Sequence, residues 1–438
     1  MQQLKNDRDP AAEPEVTRPG FAEALRFWIK LGWISFGGPS GQIAIMHQEL
    51  VERRRWISNA RFLHALNFCM LLPGPEAQQL ATYCGWLLHG VRGGIAAGTL
   101  FVLPAVLLLW LLSHVYMAYG EIKVVAAAFA GLKPAVLAIV LVALWRIGNR
   151  TLQSGAKWGL AVGAFVGIWF FRVPFPAIVF GAAFVGLVGG RLWPRQFVSE
   201  PEAIVSADEP SADGWLHAMR VVLIGVLLWV TPLIVLGLRF GWNHVLVQEG
   251  VFFSKAAMVT FGGAYAVLPY VGQQAVENFG WLQAGQMMDG LGLAETTPGP
   301  LVMVLQFVGF VGAWQHPGAL LPAVAGLLGA LVTSWVTFVP CFIWILAGAP
   351  FIERLRGNRQ VAAALGAVTA AIVGVILNLA LWFGLNSMLP PAGGLDWGGL
   401  VVVVIVFVGM LRWRWGIMSV VAGAALVGVA RALWAPWG

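Results

Sequence analysis

Segments such as Gly98 to Leu112 and Leu400 to Leu411 are apolar on every face and carry no charged residue. A helix at a soluble protein's surface keeps a polar stripe, so runs of this kind belong in lipid or in the interior of a large bundle. Similar runs recur at about 21–37, 62–72, 76–90, 94–118, 124–147, 157–171 and 174–192. After an interruption they resume at about 217–238, 245–262, 287–314, 318–348, 361–386, 398–412 and 415–434. Only 11% of the 438 residues are charged, against about 25% in a soluble domain, and the mean hydropathy is +0.78. Such a chain has the lipid bilayer as its surroundings. Transmembrane β-barrels alternate apolar and polar residues, and these segments do not. The expected fold is therefore an all-α polytopic membrane protein of about 10–13 helical segments, at roughly 20 residues per crossing.

Several functions are excluded early. The formal charge of +7 comes from Lys and Arg scattered through short loops, without the basic face a nucleic-acid partner requires. Cys69, Cys84 and Cys341 form no CxxC and no even framework, so neither zinc nor a structural disulfide is indicated. His47, His64 and His89 lack metal-ligand spacing, and no metal or cofactor is expected. The chain has no Gly-x-x-x-x-Gly-Lys-Ser/Thr, His-Glu-x-x-His or Gly-x-Ser-x-Gly run, which argues against ATP hydrolysis and the commoner metal and serine chemistries. Residues 1–20 are polar, with Pro10, Pro14 and Pro19, and are read as a cytosolic tail without a cleavable signal.

The interruption at 193–216 holds Glu200, Glu202, Asp208, Glu209 and Asp213 among three prolines, the composition of a hydrated linker. It divides the apolar chain into residues 21–192 and 217–438. These halves are related. Phe36-Gly37-Gly38 recurs as Phe261-Gly262-Gly263, Trp56 as Trp281, and Pro73-Gly74-Pro75 as Pro298-Gly299-Pro300, all at an offset of 225. Between positions 27 and 80 this offset yields 14 identities without a gap, where composition alone would give about four. Arg53, Arg54, Arg55 and Arg61 of the first copy become Asn278, Phe279, Gly280 and Gln286 in the second, and no Lys or Arg occurs between Lys255 and Arg354. Basic loops stay in the cytosol, so the 39–61 loop is expected inside and its counterpart at 264–286 outside. The copies would then be inverted, an arrangement common in secondary transporters, whose substrate site lies near the midplane between repeats.

Phe36-Gly37-Gly38-Pro39 and Pro73-Gly74-Pro75-Glu76 each interrupt an apolar segment with residues that end helices. Unwound backbone within a membrane survives only when buried in protein or lining a watery cavity, and a freed helix N-terminus attracts anions. The same motifs at the membrane surface would be simple tight turns. Candidate substrate-binding residues are Lys30, Ser35, Gly37, Gly38, Gln42, Arg53, Gly74, Glu76 and Gln78 in the first copy. In the second they are Lys255, Thr260, Gly262, Gly263, Thr297 and Gly299, with Glu277, Asp289, Glu295 and Thr296 as further polar groups. Lys30 and Lys255 occupy equivalent positions in copies that face opposite ways, so the positive-inside rule does not account for both; substrate attraction, an ion pair and snorkelling remain. His47, Glu49 and Glu76 are the candidates for carrying a coupling proton. Glu49 and Arg53, four residues apart, equally fit an ordinary ion-paired face.

Phe36-Gly37-Gly38-Pro39, Gln42-Ile43-Ala44, Met46-His47-Gln48-Glu49, Arg54-Arg55-Trp56, Leu71-Leu72-Pro73-Gly74-Pro75-Glu76-Ala77, Gln79-Leu80-Ala81, Gly85-Trp86 and His89-Gly90 together resemble the chromate ion transporter family in its long, two-domain form. The resemblance covers residues 21–190 closely and 245–430 as a more divergent second domain. It implies export of chromate across the bacterial inner membrane, conferring resistance, with sulfate as the similar competitor; a homodimer is one assembly open to it. Ala264 in place of Pro39 and Leu301 in place of Glu76 set the second copy apart, so the two halves need not treat the substrate alike. A transporter of sulfate or another small oxyanion would share this architecture. An intramembrane enzyme acting on a lipid phosphate would have to build its acid–base pair from His47, Glu49 and Glu76.

Overall fold

The computed structural model describes residues 18–36, 38–197, 212–349, 359–388 and 394–434. The described residues form helices and no strands, as an all-α membrane protein should. The first copy opens with α1 (Phe21–Ile34), α2 (Gly38–His47), a π-helical turn over Gln48–Arg53, and α3 (Asn59–Cys69). α4 (Glu76–Tyr119) follows, at 44 residues. At 1.5 Å per residue that length is about twice a bilayer's hydrocarbon thickness. It is accordingly two limbs folded at His89–Gly90, where Gly90 has φ +61°. The limbs press so closely that a Cβ on Gly85 would lie 2.4 Å from the Gly93 carbonyl oxygen.

Next come α5 (Lys123–Thr151), α6 (Gly155–Phe171), α7 (Phe175–Leu192) and the short α8 (Pro194–Phe197). Most residues of the acidic linker, 198–211, lie outside the described residues, as do 1–17 of the polar tail and Gly37. α9 (Ala212–Phe240) leads into α10 (Val245–Val259), α11 (Ala264–Gln273), a second π-helical turn over Gln274–Asn278, and α12 (Ala284–Thr296). A 3₁₀ turn at Leu301–Met303 opens into α13 (Val304–Gln315), then α14 (Pro322–Gly348), α15 (Arg359–Met388), α16 (Trp397–Arg412) and α17 (Ile417–Trp434).

Seven of these helices are long and apolar enough to cross a membrane. The described residues form 17 α-helices, several of them too short to cross a bilayer by themselves, so the helix number is larger than the 10–13 segments read from the sequence. Local signals set the other boundaries. Ser58 accepts the Arg61 N–H at the start of α3, Ser154 the Lys157 N–H at α6, and Asp396 the Gly399 N–H at α16. α9 turns Leu223, Leu227, Leu238 and their neighbours outward, exposed as a lipid-facing helix requires. Trp145, Trp193 and Trp215 are likewise exposed near helix ends, the place where indoles anchor at the interface.

The two halves interleave. α5 packs on α16 and α17, α7 on α15, and the outer limb of α4 on α13 and α14. Small residues permit the closest of these contacts: a Cβ on Gly131 would lie 2.3 Å from the Ala424 carbonyl oxygen, and Gly428 meets Gly131 from the other side.

Candidate functional site

Local structure recurs at the same offset as the sequence. Ser35 Oγ donates to the Leu31 carbonyl and Thr260 Oγ1 to that of Ala256, each at 2.6 Å. Arg54 N–H bonds Glu49 O as Phe279 N–H bonds Gln274 O, and Trp56 N–H bonds Leu50 O as Trp281 N–H bonds Ala275 O. Arg55 has φ +54° and its counterpart Gly280 +63°; Gly38 and Gly263, each opening the next short helix, have +71° and +89°.

At the centre the copies exchange backbone bonds. The Gly74 N–H donates to the Thr260 carbonyl at 2.7 Å, and the Gly299 N–H to the Ser35 carbonyl at 2.8 Å. Thr260 is Ser35 plus 225 and Gly299 is Gly74 plus 225, so each Pro-Gly-Pro break is sewn to the Phe-Gly-Gly break of the other copy. Gly74 and Gly299 have φ +126° and +110°, conformations glycine tolerates best. Gln42, fully buried one turn into α2, donates from Nε2 to both Ser35 O and Gly299 O. Gln79 Nε2 similarly holds the Pro73 carbonyl at 2.8 Å. Gly74, Gly299, Ser35, Thr260 and Pro73 thus each have a backbone group at a break paired with the opposite copy or with a buried amide, the kind of pairing a membrane interior demands.

Gln78 Nε2 reaches Thr82 Oγ1 at 3.1 Å, while the Oε1 atoms of Gln42, Gln78 and Gln79 are buried without a hydrogen-bond partner among the described residues. The unpartnered ends are acceptors, able to take hydrogen bonds from water around a hydrated guest. Glu76 begins α4 directly after Pro75, where the helix N-terminus favours negative charge. Thr297 is buried and spends its hydroxyl on the Ala294 carbonyl at 3.0 Å. Gly262, with φ +75°, lies within 3.1 Å of Ile372 as measured from a Cβ placed on it. Ser35, Gly38, Gln42, Gly74, Glu76, Gln78, Thr260, Gly262, Gly263, Thr297 and Gly299 therefore lie on the broken segments or the helix turns beside them. Gly37 lies outside the described residues.

Other candidates do not join this set. Lys30 and Lys255 are exposed on α1 and α10. Arg53 bonds Glu49 at 2.7 Å with its side chain 61% exposed. His47 meets Asn59 Oδ1 at 2.8 Å and Glu52 at 3.2 Å. His47, the last residue of α2, and Glu49 in the π-helical turn thus sit at the connection between α2 and α3, outside the long apolar spans. Arg54 completes this cluster, lying 3.4 Å from Glu49, 3.9 Å from Glu23, and over the rings of Phe27 and Trp56. Burial pushes the Glu49 pKa up, but the hydrogen bonds from Arg53 and Arg54 outweigh it, and the carboxyl sits below its ordinary value. A lowered folded-state pKa gives stabilisation that is present at neutral pH and lost as pH falls through it. Glu49→Gln is expected to cost about 1 kcal/mol at pH 7. Its melting temperature in detergent should converge on wild type as pH drops below about 4.3.

Sequence reasoning passed over several groups. Tyr265 donates its hydroxyl to the Glu295 carboxylate at the end of α12. Cys341, far along the chain on α14, sits where a Cβ on Gly74 would be 2.7 Å from its Sγ. Tyr116 on α4 donates to Asp289 on α12 at 2.9 Å. Each contact joins distant segments with no shared motif, and only the three-dimensional packing reveals it.

Seven candidate spans, with further helices broken inside the bundle and sewn together at their breaks, define a polytopic membrane protein with discontinuous helices. The chain matches the chromate transporter family over residues 22–187 and 247–429. It belongs to that family. It is 28% identical to the chromate transport protein of Cupriavidus metallidurans, covering 93% of this chain and 92% of the relative. It is 32% identical to the chromate transport protein of Pseudomonas aeruginosa, over 84% of this chain and 81% of that one. A probable chromate transport protein of Synechococcus elongatus is 29% identical over 84% of this chain and 85% of its own. No solved structure matches the chain significantly.

Proposed function

We propose that this protein exports chromate across the bacterial inner membrane by alternating access, about a site where two inverted copies, residues 21–192 and 217–438 joined by the acidic 193–216 linker, cross. The reciprocal bonding of Gly74 to Thr260 and Gly299 to Ser35 carries the reading, because a two-fold exchange between copies is what a transport site between repeats needs.

The long limb of α4 supports the inversion. At its His89 end, Nε2 lies 3.1 Å from the Pro19 carbonyl, beside the entry to α1; Arg54, following the α2 hairpin, reaches Glu23 on that same entry. At its other end His114 stacks edge-on against Trp314, and Tyr116 meets Asp289 of the second copy's hairpins. With the arginine-rich hairpin inside, the second copy opens outside. Substrate contacts are assigned to Ser35, Gly38, Gln42, Gly74, Glu76 and Gln78 with Thr260, Gly262, Gly263, Thr297 and Gly299. Glu76 is the preferred proton carrier of the three sequence candidates because it alone adjoins a break.

Export agrees with energetics. Each negative charge leaving a negative-inside cell gains about 2.3 kcal/mol per 100 mV, so a dianion gains about twice that before any proton coupling. Sulfate shares chromate's tetrahedral shape and charge and is the natural competitor. Purified protein in liposomes, given chromate, sulfate, molybdate and phosphate side by side, should move chromate at a rate that responds to an imposed potential. Transport of sulfate with chromate excluded would assign the site to another oxyanion, and a chemically altered product would replace transport with catalysis.

A further inference from the structure

A second polar site lies away from the crossed breaks. A cavity of about 350 Å³ opens between α4, α5 and the first turn of α12, lined among others by Tyr116, Glu121, Lys133, Gln283, Gln286 and Asp289. A water's share of liquid is about 30 Å³, so the space suits a hydrated small ion. Lys133 projects into it from the apolar span of α5, and no salt bridge to it forms among the described residues. A lysine at such a place is functional by default unless a partner neutralises it. Its ammonium lies against the start of α12, 3.0 Å from where a Cβ on Gly285 would stand; glycine leaves that approach open. An α-helix leaves its first N–H groups without helical acceptors; at α12, 13 residues long, a capping box between Gln283 and Gln286 takes the Gln283 and Gln286 N–H groups, which leaves those of Ala284 and Gly285 as the helix donors beside Lys133.

Asp289 supplies the independent observation. Only 4% exposed, it spends Oδ2 on the Tyr116 hydroxyl while Oδ1 has no partner among the described residues. A buried carboxylate with one unbonded oxygen, lining the same cavity as Lys133, is an anion tethered beside an anion site. Ionised, it answers the charge of Lys133 and repels a second anion; neutral, it leaves Lys133 to a ligand.

We infer that this cavity is an oxyanion-binding site at the extracytoplasmic mouth, with Lys133 and the α12 N-terminus as its donors and Asp289 as a built-in competitor. It rests on the transport reading above and extends it, giving the exported dianion a last station from which a carboxylate displaces it. The ionisable groups facing Asp289 across the cavity are Tyr116 from α4, Glu121 from the turn after it and Lys133 from α5; α13, α15 and α17, which also pack on α12, contribute no lining residue.

Chromate exchange is measured in oriented proteoliposomes, with the half-saturating concentration determined separately at each face. Wild-type exchange comes first, since its absence would defeat the transport reading rather than this one. Lys133→Gln should raise the extracytoplasmic half-saturating concentration at least tenfold and the cytosolic one less than twofold, with Lys133→Arg restoring it to within threefold. With half-saturating concentrations expressed as the chromate dianion, because chromate itself protonates in this range, wild type should bind more tightly from outside as pH falls from 8 to 5, and Asp289→Asn should bind at least threefold more tightly at pH 8 with that dependence flattened. Should Lys133→Gln fail to fold, the Asp289→Asn profile decides alone. Equal shifts at both faces, no shift, or an unchanged pH profile in Asp289→Asn would overturn the inference.

Discussion

Gly74→Ala and Gly299→Ala should each lower chromate transport at least tenfold while the protein still inserts into the membrane. At φ +126° and +110° any side chain strains the backbone, a cost of about 1–3 kcal/mol. The new methyl would also lie 2.7 Å from Cys341 Sγ and 2.8 Å from Gln79 Nε2 in the first case, and 2.6 Å from the Ala105 Cβ in the second. Relief requires the break to move, and movement parts the Gly74–Thr260 or Gly299–Ser35 bond. Gly159→Ala is the control, for nothing lies within 4 Å of a Cβ there. Transport rates normalised to membrane-inserted protein check the result. Near-wild-type rates in either variant would show that the breaks tolerate displacement.

Gln42→Leu should be the next most damaging change, because its amide donates to carbonyls of both copies at once. Leucine is close in size but leaves the Gly299 carbonyl without that donor, a penalty of about 1–3 kcal/mol for a buried group. We expect a lower melting temperature in detergent and at least a tenfold loss of transport. The corresponding residue of the second copy, Val267, is fully buried but apolar, so Val267→Ala should cost packing energy with a smaller loss of transport. Similar losses in the two variants would mean that the crossing depends on packing rather than on the Gln42 amide.

The repeat, the apolar spans and the positions of the breaks were legible in the sequence because each rests on local chemistry. Proline and glycine end helices wherever they fall, and a 225-residue offset survives in Phe36, Trp56 and Pro73. The partners of the breaks were not legible. Ser35 and Gly299 are 264 residues apart, and nothing in either motif states that it bonds its relative rather than its neighbour. Lys30 and Lys255 stood out because equivalent lysines in copies expected to face opposite ways are not both explained by the positive-inside rule, and both are exposed on their helices, an arrangement that fits snorkelling. Arg53 and His47 were drawn in by proximity along the chain, whereas Glu49, Glu52 and Asn59 hold them at the hairpin's outer end. Lys133, Tyr116 and Asp289 converge from three helices whose registers no motif fixes.

The proposed inversion of the two copies is tested most directly by labelling single cysteines with a membrane-impermeant thiol reagent, in a chain whose Cys69, Cys84 and Cys341 are replaced. Ser58→Cys lies beyond the first π-helical turn and Gln283→Cys at its counterpart in the second copy. In intact cells Gln283→Cys should react and Ser58→Cys should not, and in inside-out vesicles the pattern should reverse. Reaction of both from the same face would contradict the account.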